Sequence, residues 1–340
     1  MRLRLIWPTS SNHYEDVVYM LYPLKFNPIY KQIIWGGTNI SRYFHRDIGL
    51  DKVAECCELC CRVDGTSVVS SGKLKGKSLS CLILMYGDKI LGGTTFRKFG
   101  AHFPLLIKII DANENLSVQV HPGDAYARSN GEKNGKNELW YVLEARENAE
   151  IVYGIKQEET KEEFVKAISE NNIAQTLNME NVNAGDVFYV PAGKVHAILG
   201  GILIAEIQQN SNTTYRIFDW NRVDRSGKGR TLNISEALDV IDFNSQNKRE
   251  LCPQIADNKD YCTNAVLRSE YFNIDRITIH HSYISAWTDS FLVLMCIKGS
   301  GVVYYGGGTC SVILGETVLF PACIGEFTID GDMTLLSIYM

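Results

Sequence analysis

Residues 185–196 read Gly185-Asp186-Val187-Phe188-Tyr189-Val190-Pro191-Ala192-Gly193-Lys194-Val195-His196. A glycine turn leads into a short run of β-branched and aromatic side chains, and a Pro-x-Gly turn ends it. Proline after Val190 blocks a helical continuation. The spacing therefore predicts a strand that delivers His196 just beyond a tight turn. The first part recurs as Gly315-Glu316-Thr317-Val318-Leu319-Phe320-Pro321-Ala322, followed by Cys323-Ile324-Gly325-Glu326 and no histidine. A chain that writes turn–strand–turn twice, in widely separated places, is held to a mainly β fold with two related halves.

A second signal is Leu116-Ser117-Val118-Gln119-Val120-His121-Pro122. Side chains alternate along a strand, so Ser117, Gln119 and His121 share one face. Leu116, Val118 and Val120 are expected on the other, in a core. Alternation returns in Lys136-Asn137-Glu138-Leu139-Trp140-Tyr141-Val142-Leu143-Glu144, with Lys136, Glu138, Trp140 and Val142 on one side. Residues 103–111 form an apolar strand run, residues 202–208 a strand carrying Glu206, and Tyr215-Arg216-Ile217-Phe218 follows.

Helices are expected at three places. Residues 78–85 suit a helical turn. Thr160-Lys161-Glu162-Glu163 is a capping box that opens a small helical insertion over residues 158–178. Residues 233–243 read as a third helix. Residues 1–19 read as an irregular extension, or as the product of a start upstream of Met20. A first unit is expected over residues 20–243, a polar hinge over 244–260, and a β-rich second unit over 244–340.

Four cysteines stand in Glu55-Cys56-Cys57-Glu58-Leu59-Cys60-Cys61. Strand alternation puts Cys56 and Cys60 on one side and Cys57 and Cys61 on the other, which favours buried thiols over a zinc site. A hydrophobic share of 45%, a charged share of 21% and a net charge of −5 describe a soluble globular chain without the basic footprint of a nucleic-acid binder. No apolar run has the ~18 residues of a membrane span. The cysteines lack the framing of a small secreted domain, so a cytoplasmic, reduced setting is expected.

Gln119, His121, Glu138 and His196 recur on inward faces of strands. One histidine alone is more often a packed residue. Two imidazoles with a carboxylate and an amide oxygen suit a divalent transition metal, zinc first.

The segment ending at His196 resembles the second motif of the cupins, G-x5-P-x-G-x2-H, at Gly185, Pro191, Gly193 and His196. That resemblance implies two jelly-roll barrels, the second without a metal. Further segments occur in order: Tyr22-Pro23-Leu24-Lys25-Phe26, Trp35-Gly36-Gly37, Ser117-Val118-Gln119-Val120-His121-Pro122, Lys136-Asn137-Glu138-Leu139-Trp140, Glu206-Ile207-Gln208-Gln209 and Thr213-Thr214-Tyr215-Arg216. Together they resemble the type I mannose-6-phosphate isomerases of the shorter bacterial kind. Two departures touch local packing: the family's Glu-Ser-Trp-Glu-Leu-Ser is here Glu55-Cys56-Cys57-Glu58-Leu59-Cys60, and its Ser-Asp-Thr-Thr is Ser211-Asn212-Thr213-Thr214.

The resemblance implies one zinc ion held by His121, Glu138 and His196, with Gln119 as a fourth ligand. It implies a catalytic Arg216, with Ser117 and Lys136 near the bound sugar phosphate. The substrate would be a small phosphorylated hexose, isomerised through a cis-enediol. The proton carrier stays open among Glu206, Lys136 and water on the zinc. A monomer and a homodimer both fit. Two other readings compete: a cupin that binds a sugar without turning it over, and a cupin dioxygenase with iron on three histidines and a carboxylate. All the isomerase ligands are present, and glutamine in one ligand place argues against the dioxygenase.

Overall fold

The computed structural model describes residues 21–223, 226–245, 252–287 and 289–340. The expected extension at 1–19 lies outside these residues, as do residues 246–251 of the expected hinge.

The mainly β class expected from the sequence is what the structure has. Three large antiparallel sheets, beside the small pair Cys61–Arg62 and Gly65–Thr66, carry the described residues. The first runs in the order Val187–Val190, Glu138–Ala145, Ile202–Gln209, Leu105–Ala112, Glu55–Leu59 and Ile29–Lys31. The second runs Leu177–Asn181, Glu150–Ile155, His196–Ile198, Val118–Val120 and Tyr215–Phe218. The third gathers the C-terminal strands around Leu292–Tyr305 and Gly325–Tyr339. Each is open in its hydrogen bonding, so the first two face each other as a sandwich and do not close into a barrel.

The six-stranded sheet is buried on both sides, and alternation decides which side chain goes where. Leu105, Ile107 and Ile109, Leu139, Tyr141 and Leu143, and Leu203, Ala205 and Ile207 enter one hydrophobic cluster. Their neighbours Ile110, Ala112, Trp140, Val142, Ile202 and Ile204 enter another. The first cluster is shared with the C-terminal sheet through Ile274, Val293, Met295, Leu319, Leu336 and Ile338. The second lies toward the five-stranded sheet, with Ile151, Tyr153 and Ile198. Glu138, Lys108 and Glu206 fall on this second side among apolar neighbours.

The expected helices are present. Leu79–Tyr86 buries Leu79, Leu82 and Ile83 on one stripe, and the Ser78 hydroxyl accepts from Cys81 N at 3.2 Å. Lys161–Ser169 starts with the full capping box: Glu163 N donates to Thr160 Oγ1 at 3.2 Å, and Thr160 N to Glu163 Oε2 at 2.8 Å. Ile234–Val240 is the third. The strand after Gly315 is Thr317–Phe320, matching Val187–Val190 after Gly185. Both glycines turn through positive φ, +86° and +91°.

Two local expectations are corrected. The ladder around Gln119 covers only Val118–Val120. Val118 and Val120 pack in a cluster on the outer side, whereas Leu116, ahead of the ladder, turns into the cluster between the sheets. Strand alternation also fails among the cysteines, because register shifts between Cys57 and Leu59. Cys57 and Cys60 share a small cluster with Leu106, while Cys56 and Cys61 pack toward the large core.

Because the large core joins the first sheet to the third, its loss should be felt by the whole molecule. Leu139→Ala is expected to lower stability in urea titration by about 2–5 kcal/mol. Val63→Ser, at a fully exposed position, should leave the midpoint unchanged.

Candidate metal centre

The two facing sheets each supply part of one buried cluster. His196 begins His196–Ile198 and lies directly opposite Gln119 in the ladder. His121 follows Val118–Val120, and its carbonyl accepts from Gly193 N at 2.9 Å. Glu138 begins its strand on the other sheet, opposite Val190 and Gln208. The approach to Glu138 needs a glycine: a Cβ on Gly135 would sit 2.6 Å from Asp124 N and 2.7 Å from Pro122 O. The loop bearing Lys136 is thereby laid flush against the loop after His121.

Each imidazole uses its Nδ1 on a backbone carbonyl, His121 on Thr213 O at 3.0 Å and His196 on Lys194 O at 2.8 Å. Nδ1 must carry the proton to donate there, which leaves both Nε2 atoms unprotonated, with the Lys136 ammonium 3.0 Å from that of His121. These two lone pairs face each other at 3.1 Å. Glu138 oxygens lie 3.3 Å from His121 Nε2 and 3.4 Å from His196 Nε2. Neither carboxylate oxygen takes a hydrogen bond. The contact of Lys136 Nζ with Oε2, at 2.8 Å, is an ion pair not directed as a hydrogen bond. Ligand atoms of the three residues all lie within 4.8 Å of one another. Two imidazole lone pairs and a carboxylate converge on one point, with the Lys136 ammonium already drawn to them, and this donor set fits a divalent metal.

Protonation agrees with that chemistry. Burial lowers His121 to about 3, helped by the Lys136 ammonium. Burial also lowers His196. Burial alone would raise Glu138, but the Lys136 ammonium outweighs it and holds the carboxyl well below its ordinary range.

Above the cluster opens a cleft of about 390 Å³. Ser117, Gln119, Lys136, Glu206 and Arg216, all singled out in the sequence, line it. Gln119 Nε2 lies 3.4 Å from His196 Nε2, and Lys136 Nζ 3.0 Å from His121 Nε2. Arg216 donates from Nε to Ser117 Oγ at 3.1 Å and from Nη1 to Thr231 O at 2.9 Å. Burial lowers its affinity for its proton, and Arg230 beside it adds to this. Glu206 accepts from Lys108 Nζ at 3.2 Å, and its pKa is raised by burial against the pull of that lysine.

The sequence reading missed Lys31, Glu55, Lys108 and Arg230, which line the same cleft. A signal existed for Lys108, a charge with apolar residues on both sides in the strand Leu105–Ala112. None existed for Arg230. It reaches the cleft because Asp219, which also binds Arg222 at 2.5 Å, accepts from Arg230 Nε at 2.7 Å. A larger cavity of about 720 Å³ lies elsewhere, between residues 21–25, residues 70–73 and the C-terminal sheet. The buried ligand groups converge under the smaller one.

Comparison with known proteins agrees with this geometry. Residues 23–172 match the family described as phosphomannose isomerase type I, catalytic domain, and residues 262–340 the one described as mannose-6-phosphate isomerase, cupin domain. The mannose-6-phosphate isomerase ManA of Bacillus subtilis is 37% identical over 313 residues, covering 91% of this chain and 96% of that protein. The mannose-6-phosphate isomerase of Streptococcus mutans is 34% identical over 318 residues, 94% and 98% of the two. A crystal structure of the mannose 6-phosphate isomerase from Bacillus subtilis superposes with a TM-score of 0.86 at 33% identity, covering 94% of this chain and 99% of that one. With its buried histidines and glutamate beneath a cation-lined cleft, this chain belongs to the type I mannose-6-phosphate isomerases.

Proposed function

We propose that the chain interconverts mannose 6-phosphate and fructose 6-phosphate through a cis-enediol, with one zinc ion at His121, Glu138 and His196. Gln119, whose amide nitrogen lies 3.4 Å from His196 Nε2, would serve as a fourth ligand with its amide turned over to present the oxygen. The observation that carries the proposal is the pair of unprotonated Nε2 atoms and the carboxylate without hydrogen bonds, converging under a cleft into which Lys31, Lys108, Lys136, Arg216 and Arg230 are set. Bound there, zinc would supply a Lewis acid for the sugar oxygens.

The remaining roles follow from the side chains. Glu206 is the carboxyl placed to move the proton: it is buried, and its raised pKa suits a group that both takes and returns a proton. The C2 proton of the open-chain aldose passes to Glu206 and is returned at C1. The hydroxyl proton leaves O2 as O1 gains one, so the reaction is balanced with no external oxidant. Lys136 and Arg216 set positive charge beside the developing enediolate and the phosphate. Arg216 is directed by Ser117, and the neighbouring Arg230 makes a second guanidinium available to a phosphate. The substrate is a soluble phosphosugar, which fits a cytoplasmic enzyme. Among the described residues, no helix is long and apolar enough to cross a membrane.

A coupled assay with mannose 6-phosphate tests the proposal. Turnover should vanish on chelation and return with zinc. Binding without turnover would favour the sugar-binding cupin. Arg216→Ala should keep the metal content of the parent and lose about 100-fold or more in kcat/KM, and parental kinetics would reduce the arginine to scaffolding.

Acid sensitivity has a definite sign. Folded, His121 and His196 resist protonation, whereas an unfolded imidazole titrates near about 6.5. The unfolded chain gains protons first as pH falls, so the stability is present above about pH 6.5 and is lost on the way down. Glu138, held low, adds its own loss at more acid pH. The melting temperature of metal-free protein should therefore fall between about pH 7 and pH 5, and a rise over that interval would contradict the neutral imidazole pair.

A further inference from the structure

A row of alternating charges crosses the six-stranded sheet on its cleft side. Lys31 stands directly opposite Glu55, with Nζ 3.8 Å from the carboxylate. The same Glu55 oxygen lies 3.9 Å from Lys108 Nζ. Lys108 in turn stands directly opposite Glu206 and donates to it at 3.2 Å. The row runs inward from solvent, from a Lys31 side chain 42% exposed to a Glu206 side chain 5% exposed. All four residues line the cleft.

Lys108 is the member whose place needs explaining. A lysine ammonium is a point charge on a flexible stem, with no fixed direction of its own. Buried with one carboxylate, it would close onto that carboxylate and neutralise it. Here a second carboxylate sits on its other side. Glu55 is itself steadied from outside by Lys31, one strand further toward the edge. The ammonium is thereby shared between two anions, and Glu206 is relieved of part of its pull.

Resting on the isomerase reading above, we infer that Glu55 is a positioning residue for the reaction. It holds Lys108 between itself and Glu206, so that Glu206 keeps the basicity and freedom needed to carry a proton. Glu55 acts through Lys108 and makes no bond with the substrate.

Steady-state kinetics with mannose 6-phosphate on zinc-loaded enzyme provide the test. Glu55→Gln should lower kcat about tenfold with KM held within about twofold, and with metal content and melting temperature as in the parent. Glu55→Asp, which keeps the charge one methylene further off, should recover part of the loss. Added to Glu206→Gln, Glu55→Gln should cost nothing more, because the two act through one ammonium. An unchanged kcat, a rise in KM alone, or a full further loss in the double variant would overturn the inference. Should Glu55→Gln not fold, Glu55→Asp decides: kcat down about two- to fivefold at constant KM supports the inference, and parental kcat overturns it. A parent enzyme without turnover would overturn both the isomerase reading and this inference, whereas an active parent with an indifferent Glu55 overturns only the second.

Discussion

Two imidazole lone pairs face each other at 3.1 Å beside a carboxylate that accepts no hydrogen bond. Left to themselves these groups repel, and so close an approach has to be enforced from outside. The enforcement comes from backbone hydrogen bonds and strand pairing. Backbone carbonyls of Thr213 and Lys194 hold the two Nδ1 protons, and the ladder sets His196 directly against Gln119. The opposing sheet then brings Glu138 up from below. Such a cluster is stable only where many apolar contacts hold the two sheets together, and this is the work of the core around Trp140, Tyr153, Phe188 and Ile198.

The same economy governs the charges around it. A buried ammonium is tolerated only with a partner, and each lysine in this interior has one: Lys136 with Glu138, Lys108 with Glu206 and Glu55. Arg230 is likewise bound by Asp219. The cleft thus carries a high density of charge with cations in excess, Lys31, Lys108, Lys136, Arg216 and Arg230 against Glu55 and Glu206. A dianionic sugar phosphate would meet cations that are already oriented, so little rearrangement is needed when it enters.

Much of this was legible in the chain before folding. Local turn chemistry marked the strand that delivers His196, and period-two alternation put Gln119 and Glu138 on the faces that meet at the cluster, while Ser117 and Lys136 reach the cleft from just outside their strands. The capping box at Thr160 was present in full. What could not be read was register across strands. Lys108 meets Glu206 across nearly a hundred positions of sequence, and nothing in either strand names the other. Arg230 enters the cleft through an ion pair with Asp219 that no periodicity announces. At Cys57 a single irregular step reversed the sides on which the thiols fall, because alternation carries no warning of a bulge.

The short strand Leu24–Lys25 pairs with Thr317–Phe320, aligning Leu24 with Leu319, and Lys25 is tied to Glu316 at 2.6 Å. On a ribosome, the earliest of these segments would wait for almost the last before its partner existed. The sheet that carries Glu138 shares its outer core with those late strands, so it would be synthesised long before its back could be covered. Contacts of such long range make assembly slow and leave apolar strands bare in the interval. An enzyme built this way leaves apolar strands uncovered during synthesis, and removing the C-terminal residues that include Leu336 and Ile338 would thin the cover over the outer side of the sheet that carries Glu138.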